Sequence, residues 1–251
     1  RTLFPYTTLF RSNVRGLRNT LKRKKLFKLF KENKHDVVCL QESYITKNVF
    51  DQWKKEWGGD MIYCEGTNHG RGQLILIRKQ FPYEWEVGTI HERILSVKIK
   101  TDNKHIGIFN IYAPCSLKET KEFFNYVKNT VNNCEFDMKI VCGDFNAVLS
   151  NDLDIISGEK HSASLVKSFN DLADECELND VWRIFNAENK EYTWSRKCCN
   201  NFIARRLDYI LLNDNAMSEA LETNIFSVPS SDHRGIYVNL KVSNVKRGPG
   251  Y

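Results

Sequence analysis

The residues with the greatest chemical potential in this 251-residue chain stand where apolar runs end. Glu42 follows VVCLQ, Asp144 and Asn146 follow KIVCG, and Asp232 with His233 lies between FSVPS and IYVNLKV. Asn13 would end a first strand, and Tyr112 ends IGIFNI just before Ala113 and Pro114. Taken singly, each has an ordinary explanation. A carboxylate after a strand is usually a solvated turn or a helix cap, and Gly, Asp and Asn are all turn residues, so GDFN reads equally well as a turn. Taken together they describe something else. Strand ends from separate parts of a chain commonly meet along one edge of a sheet sandwich, where a rigid scaffold can hold a site. Carboxylates, carboxamides and an imidazole gathered there would suit a hard cation and proton transfer.

The intervening sequence supplies elements to hold them. Residues 20–33 read as a helix with Leu26, Phe27 and Phe30 on one face, its lysines and Arg23 forming a solvated face. Residues 118–133 repeat the pattern with Phe123, Phe124, Val127 and Val131, and residues 162–177 with Leu165, Phe169, Leu172 and Cys176, capped by Ser162. Strands are expected at DVVCLQES, QLILIR (73–78), ILSVKIK, HIGIFNIYAP, KIVCGDFN, DVWRIF, EYTWS, RRLDYILL, TNIFSV and IYVNLKV, with a short helix near 216–221. This order predicts one α/β domain, two largely antiparallel sheets face to face with helices outside.

Composition narrows the class. With 41% hydrophobic and 27% charged residues, the chain can bury a substantial core. No apolar run approaches the roughly 18–20 residues that cross a bilayer. A secretory pattern is missing too, so the expectation is an intracellular protein of the cytoplasm or nucleus, neither secreted nor membrane-bound. Eight cysteines form no C-x-x-C pair, and buried free thiols explain Cys39 and Cys142 better than zinc or disulfides. The adjacent Cys198 and Cys199 fit no ligand pattern. The formal charge of +6 permits a polyanionic partner without requiring one. Residues 1–12, RTLFPYTTLFRS, share no periodicity with the rest of the chain and resemble translated sequencing-adapter read-through. They are expected to be a non-native leader and a poor first strand. Setting aside Arg1 and Arg11 leaves 35 basic residues against 31 acidic. The domain is expected to span 13–243, with 244–251 opening a linker.

The ordered set NVRGLR (13–18), LQES (40–43), NIYAP (110–114), GDFN (143–146), RLDYIL (206–211) and SDHR (231–234) resembles the endonuclease/exonuclease/phosphatase superfamily. Within it, YTW (192–194) leading into RRLDYIL is similar to the apurinic-endonuclease-like domain of LINE-type (non-LTR) retrotransposon polyproteins. The resemblance implies a four-layer fold and a Mg²⁺-dependent phosphodiesterase, with Mn²⁺ as a substitute. It would nick one strand of DNA to prime a reverse transcriptase further along the polyprotein. It also implies roles. Glu42, with Asn13 and Asp232, would hold the metal; Asp144 would orient or deprotonate water; Asn146, His233 and Tyr112 would meet the phosphate. Asp208 would orient His233, and Asp232 would also stand near the leaving group. Thr193, Arg196, Lys197, Arg205 and Arg206 would contact DNA, the last four from an exposed hairpin. Fold does not fix substrate, so abasic DNA, RNA, phospholipid and inositol phosphate remain alternatives, as does a non-catalytic DNA-binding module.

Overall fold

The computed structural model describes residues 6–198 and 201–242. Two six-stranded sheets pack face to face. The first runs β13 (Ala220–Ser227), β14 (Arg234–Lys241), β1 (Tyr6–Asn13), β2 (Val37–Gln41), β4 (Arg71–Ile77), β3 (Asp60–Gly66). The second runs β5 (Glu84–His91), β6 (Ile94–Lys100), β7 (His105–Tyr112), β8 (Met138–Asp144), β12 (Asp208–Asn213), β9 (Leu178–Asp180). A separate hairpin pairs β10 (Trp194–Cys198) with β11 (Asn201–Arg205).

Each sheet is antiparallel except for one parallel pair, β1 with β2 and β7 with β8. Parallel neighbours need a crossover. Helix α1 (Thr20–Glu32) supplies the first and α3 (Leu117–Asn132) the second. Both helices begin where the sequence provides a cap: Asn19 Oδ1 accepts from the Lys22 N–H, and Ser116 Oγ from that of Glu119. Helix α2 (Lys47–Trp57) ends at Gly58 in the left-handed conformation, φ +76°.

Strands covered on both faces read as continuous apolar runs, which accounts for VVCL and KIVC. Between the sheets lie Leu9, Val37, Cys39, Ile75, Ile108, Ile140, Cys142 and Ile210. Helices α1 and α2 cover the first sheet through Leu26, Phe27, Phe30, Trp53 and Trp57. Helices α3 and α5 (Ala163–Glu175), between which in the chain lies the short α4 (Asn151–Asp154), cover the second through Phe124, Val127, Phe169 and Leu172. The expected four layers are present, and Cys39, Cys64, Cys142 and Cys176 are buried thiols.

Several expectations change. Residues 6–13, read as a poor first strand, form the third strand of the first sheet, paired on both sides, with Leu9 and Phe10 buried. Arg11 obscures their alternation in the sequence, because its guanidinium is buried as well. The apolar run VWRIF is helix α6 (Val181–Phe185), not a strand; Asp180 caps it by accepting from the Arg183 N–H. Helix α2 and strands β3 and β5 are additions to the expected elements. In α1, Arg23 is not on a solvated face. It is buried, donates through Nε and Nη2 to Glu56 (2.8 and 2.9 Å) and lies over Trp53. Residues 244–251 and Cys199 lie outside the described residues.

A second polar centre fixes the segment before β12. Arg206 is 1% exposed and donates to Asp154 (2.8 Å) and Asp180 (2.5 Å), while its guanidinium lies 4.3 Å from the Tyr209 ring centroid. Arg183 donates to the same Asp154 oxygen at 2.9 Å. A buried cation stripped of one partner keeps its desolvation cost without compensation. Asp154→Ala is therefore expected to lower unfolding stability by about 3–5 kcal/mol, read from urea denaturation. A loss below about 1 kcal/mol would show that the network adds little to stability.

Candidate active site

The topology brings the strand-end residues level. In parallel pairing Asn13 faces Gln41 and Tyr112 faces Asp144, while antiparallel pairing sets Asp208 against Asp144. The turn before β14 brings Asp232 and His233 to the same edge, where Ser231 Oγ donates to the Asn13 carbonyl and accepts from the His233 N–H. All the expected catalytic and metal residues converge there.

Asn13 is fully buried and central. Its Nδ2 donates to Glu42 Oε1 (2.9 Å) and to Asp144 Oδ2 (3.0 Å). Tyr112 Oη also donates to Glu42 Oε1, at 2.9 Å. Opposite, His233 Nδ1 donates to Asp208 Oδ2 at 2.9 Å, and its Nε2 lies 4.0 Å from Asp144 Oδ2. Asn146 is fixed beside Asp144: its backbone N–H donates to Asp144 Oδ1 (3.0 Å) and its Nδ2 to the Ala113 carbonyl (2.8 Å).

Two buried carboxylates this close demand compensation. Burial and then Asp208 push the Asp144 carboxyl up to about 6, against the opposing pull of His233, Arg11 and Asn13. Burial would raise Asp208 as well, but Arg11 and His233 hold it well below the usual carboxylate range. For His233, burial disfavours the charged ring; the Asp208 carboxylate overcomes this and raises the imidazole to about 9. Burial, then Glu42 and Asp144, drive the Tyr112 phenol upward, so it remains a proton donor. At neutral pH the site offers an imidazolium, a carboxylate with raised proton affinity, and a neutral phenol.

Asp144, Asp208 and His233 bring potential ligand atoms within 4.8 Å of one another. Both Asp208 oxygens are nevertheless engaged, one by the Arg11 guanidinium and the other by His233. Among the described residues the donors less committed are Glu42 Oε2, met only by Tyr44 Oη at 3.3 Å, and the buried Asp232 Oδ1, which has no hydrogen-bond partner. These are hard oxygens, compatible with a Mg²⁺-like cation.

Residues 12–233 match the Endonuclease/Exonuclease/phosphatase family. The chain belongs to that family. Across 92% of its length it is 25% identical to the "Transposon TX1 uncharacterized 149 kDa protein" of Xenopus laevis, and it spans only 18% of that relative. Its fold matches an AP endonuclease from Leishmania major (TM-score 0.81, 17% identity, 94% of this chain and 87% of the other). It also matches the endonuclease domain of TRAS1, a telomere-specific non-LTR retrotransposon (TM-score 0.72, 15% identity, 95% and 100%). The family assignment makes the chain a member of a nuclease and phosphatase family.

Not every expected contact residue reaches the surface. Thr193 is fully buried; its Oγ1 accepts from the backbone N–H groups of Leu207 (3.0 Å) and Asp208 (3.2 Å), which makes it a support for Asp208 and not a DNA contact. Arg206 is equally unsuited, being held between Asp154 and Asp180. Arg205 is half-buried and donates to the Glu159 carbonyl at 2.7 Å. Arg196 and Lys197 are exposed on the hairpin. Conversely, three contributors went unrecognised. Arg11 pairs with Asp208, Trp194 Nε1 donates to Asp232 Oδ2 (3.0 Å), and Arg93 donates to the Tyr112 carbonyl (3.1 Å) beneath its ring. Trp194 stands in the quoted YTW motif and could have been singled out; Arg11 falls in the segment taken for a leader.

The His233 shift has a consequence for stability. An imidazole raised to about 9 when folded, against about 6.5 unfolded, contributes stability that is full below about pH 6.5 and lost as pH rises through about 9. Urea midpoints of the wild type should therefore fall across that window more steeply than those of His233→Gln. Parallel curves would contradict the pairing.

Proposed function

We propose that the chain is a Mg²⁺-dependent endonuclease domain that nicks one strand of duplex DNA. It would leave a 3′-hydroxyl from which a reverse transcriptase elsewhere in a retrotransposon polyprotein begins synthesis. The observation that carries the reading is the buried Asp208–His233 pair, held charged and facing Asp144 beside the half-buried Glu42. The similarity to the Xenopus transposon protein and to the TRAS1 endonuclease domain supports the retrotransposon assignment.

Glu42 and Asp232, with Asn13, are the residues to hold Mg²⁺, and Mn²⁺ would fit the same oxygens. Bound there, the ion supplies positive charge to the phosphoryl oxygens and leaving oxygen. The remaining work belongs to side chains of the chain itself. Asp144 accepts a proton from the attacking water, a task suited to a carboxylate whose proton affinity is raised toward neutrality. His233 donates from Nε2 to a non-bridging phosphate oxygen, its ring fixed by Asp208 at Nδ1. Asn146, whose Nδ2 keeps a second hydrogen beyond its bond to the Ala113 carbonyl, donates to the phosphate as charge develops, and Tyr112 does so by turning its single O–H away from Glu42. Asp232, tied to Trp194, stands near the departing oxygen. Arg196, Lys197 and Arg205 on and beside the hairpin meet the DNA backbone. The fold match to the Leishmania AP endonuclease favours one alternative, cleavage at abasic sites.

Supercoiled plasmid incubated with the chain should become open-circular with Mg²⁺ and remain supercoiled with EDTA. Asp144→Ala and His233→Ala should each reduce the rate by about 10²–10⁴-fold. An abasic duplex beside an intact one separates the two DNA readings. A folded protein that leaves both untouched would sink the nuclease reading and favour another phosphodiester or a binding-only role.

A further inference from the structure

Immediately after Asn13 the backbone turns over the site edge. Val14 N–H donates to the Gln41 carbonyl (3.0 Å), Arg15 N–H to Asn13 Oδ1 (3.1 Å), Gly16 N–H to the Glu42 carbonyl (2.6 Å) and Leu17 N–H to that of Ser43 (2.9 Å). Lys22 Nζ donates to the Val14 and Arg15 carbonyls from helix α1. Within this fixed loop Arg15 alone turns outward, its side chain 57% exposed between the buried Val14 and Gly16. It takes a left-handed conformation, φ +44°, as do the facing Glu42 (φ +50°) and Tyr44 (φ +59°). Such backbone is costly outside glycine, and its clustering at one edge is a feature of functional sites.

The Arg15 guanidinium rests on Asp232 Oδ2 at 2.5 Å. That carboxylate has a second donor on the same oxygen, Trp194 Nε1 at 3.0 Å, so it stays in place if Arg15 departs. An ion pair this exposed contributes little to stability and gives no reason for three strained residues. An exposed guanidinium on a hydrogen-bonded loop, beside Asp232 at the edge of the site, has a more specific use. Its planar fork matches two phosphate oxygens.

We propose that Arg15 is a substrate-phosphate ligand, parked on Asp232 in the free protein. It transfers to a phosphate oxygen of the nucleic-acid strand when a divalent cation takes Asp232. The inference rests on the reading of the site as a metal-dependent phosphodiesterase. Arg15 sits on Oδ2 and the cation would enter at Oδ1, unpartnered among the described residues, so the two compete for the charge of one carboxylate and a bound cation would weaken its hold on the guanidinium. Metal and nucleic acid must then each strengthen the binding of the other by the same factor.

The test is calorimetric titration of Mg²⁺ alone into the wild-type chain, Arg15→Met and Arg15→Lys, with Glu42→Gln to identify heat from this site. Anisotropy of a fluorescein-labelled DNA duplex on an Asp144→Ala background, with and without Mg²⁺, measures the second arm. Removing the competing cation should tighten Mg²⁺ binding about twofold to fivefold. It should also weaken duplex binding in Mg²⁺ by about tenfold and shrink the effect of Mg²⁺ on duplex affinity, while Arg15→Lys stays nearer the wild type. Unchanged or weaker Mg²⁺ binding in Arg15→Met, or no Mg²⁺ heat in either protein, would overturn the proposal. A contact that only pins the loop predicts a lower Tm with Mg²⁺ affinity unaltered, which also overturns it. If the wild type fails to nick DNA yet Arg15→Met binds Mg²⁺ more tightly, the nuclease reading fails and the competition at Asp232 stands.

Discussion

Antiparallel pairing of β8 with β12 sets two acidic residues, Asp144 and Asp208, opposite each other between the sheets, both almost wholly excluded from water. Neighbouring carboxylates in such a place either share a proton or find positive partners. The rest of the site answers that demand. Arg11 reaches up from β1 to one Asp208 oxygen, His233 closes on the other, and Asn13 donates to Asp144. Thr193 holds the backbone on which Asp208 begins. The arrangement leaves His233 Nε2 4.0 Å from Asp144 Oδ2, with Asn13 joining Asp144 to Glu42 and Tyr112 beside it.

The constraint reaches into the fold. Beneath the site, Arg11 donates to Gln41 and Gln41 to Asn110, whose Nδ2 donates to the Leu40 and Leu74 carbonyls, both at 3.2 Å. A polar layer therefore separates the edge that carries the candidate site from the apolar inter-sheet core. Gln41 and Asn110 are each tied on both sides, while Arg11 Nε has no hydrogen-bond partner among the described residues. The two parallel βαβ units serve the same end. Crossovers through α1 and α3 let the carboxyl ends of β1, β2, β7 and β8 arrive at one edge, so side chains from six separate segments meet without a long loop.

Much of this was legible in the sequence because apolar runs and their polar ends are local signals. Glu42, Asp144 and His233 each follow or precede a short run that reads as a strand, and motif order joined them into one site. The amphipathic helices, one of them with its cap at Ser162, were equally visible. What failed was tertiary. VWRIF is apolar enough for a strand, yet its cap at Asp180 and its packing of Trp182 make it a helix. Arg23, Thr193 and Arg206 look like surface contacts by residue type, and only their partners across the fold (Glu56, Asp208 and the Asp154–Asp180 pair) show that they are buried supports. Arg11 could not be read at all, since a charge in a strand is ordinarily a sign of solvent.

The proposed nuclease would hydrolyse a phosphodiester bond of DNA on the side that leaves a 3′-hydroxyl. The direct measurement is single-turnover cleavage of a 5′-labelled duplex in Mg²⁺, followed by addition of a DNA polymerase and nucleotides without phosphatase treatment. The cut strand should be extended at once. Product that extends only after removal of a 3′-phosphate, or a folded protein that makes no cut, would contradict it.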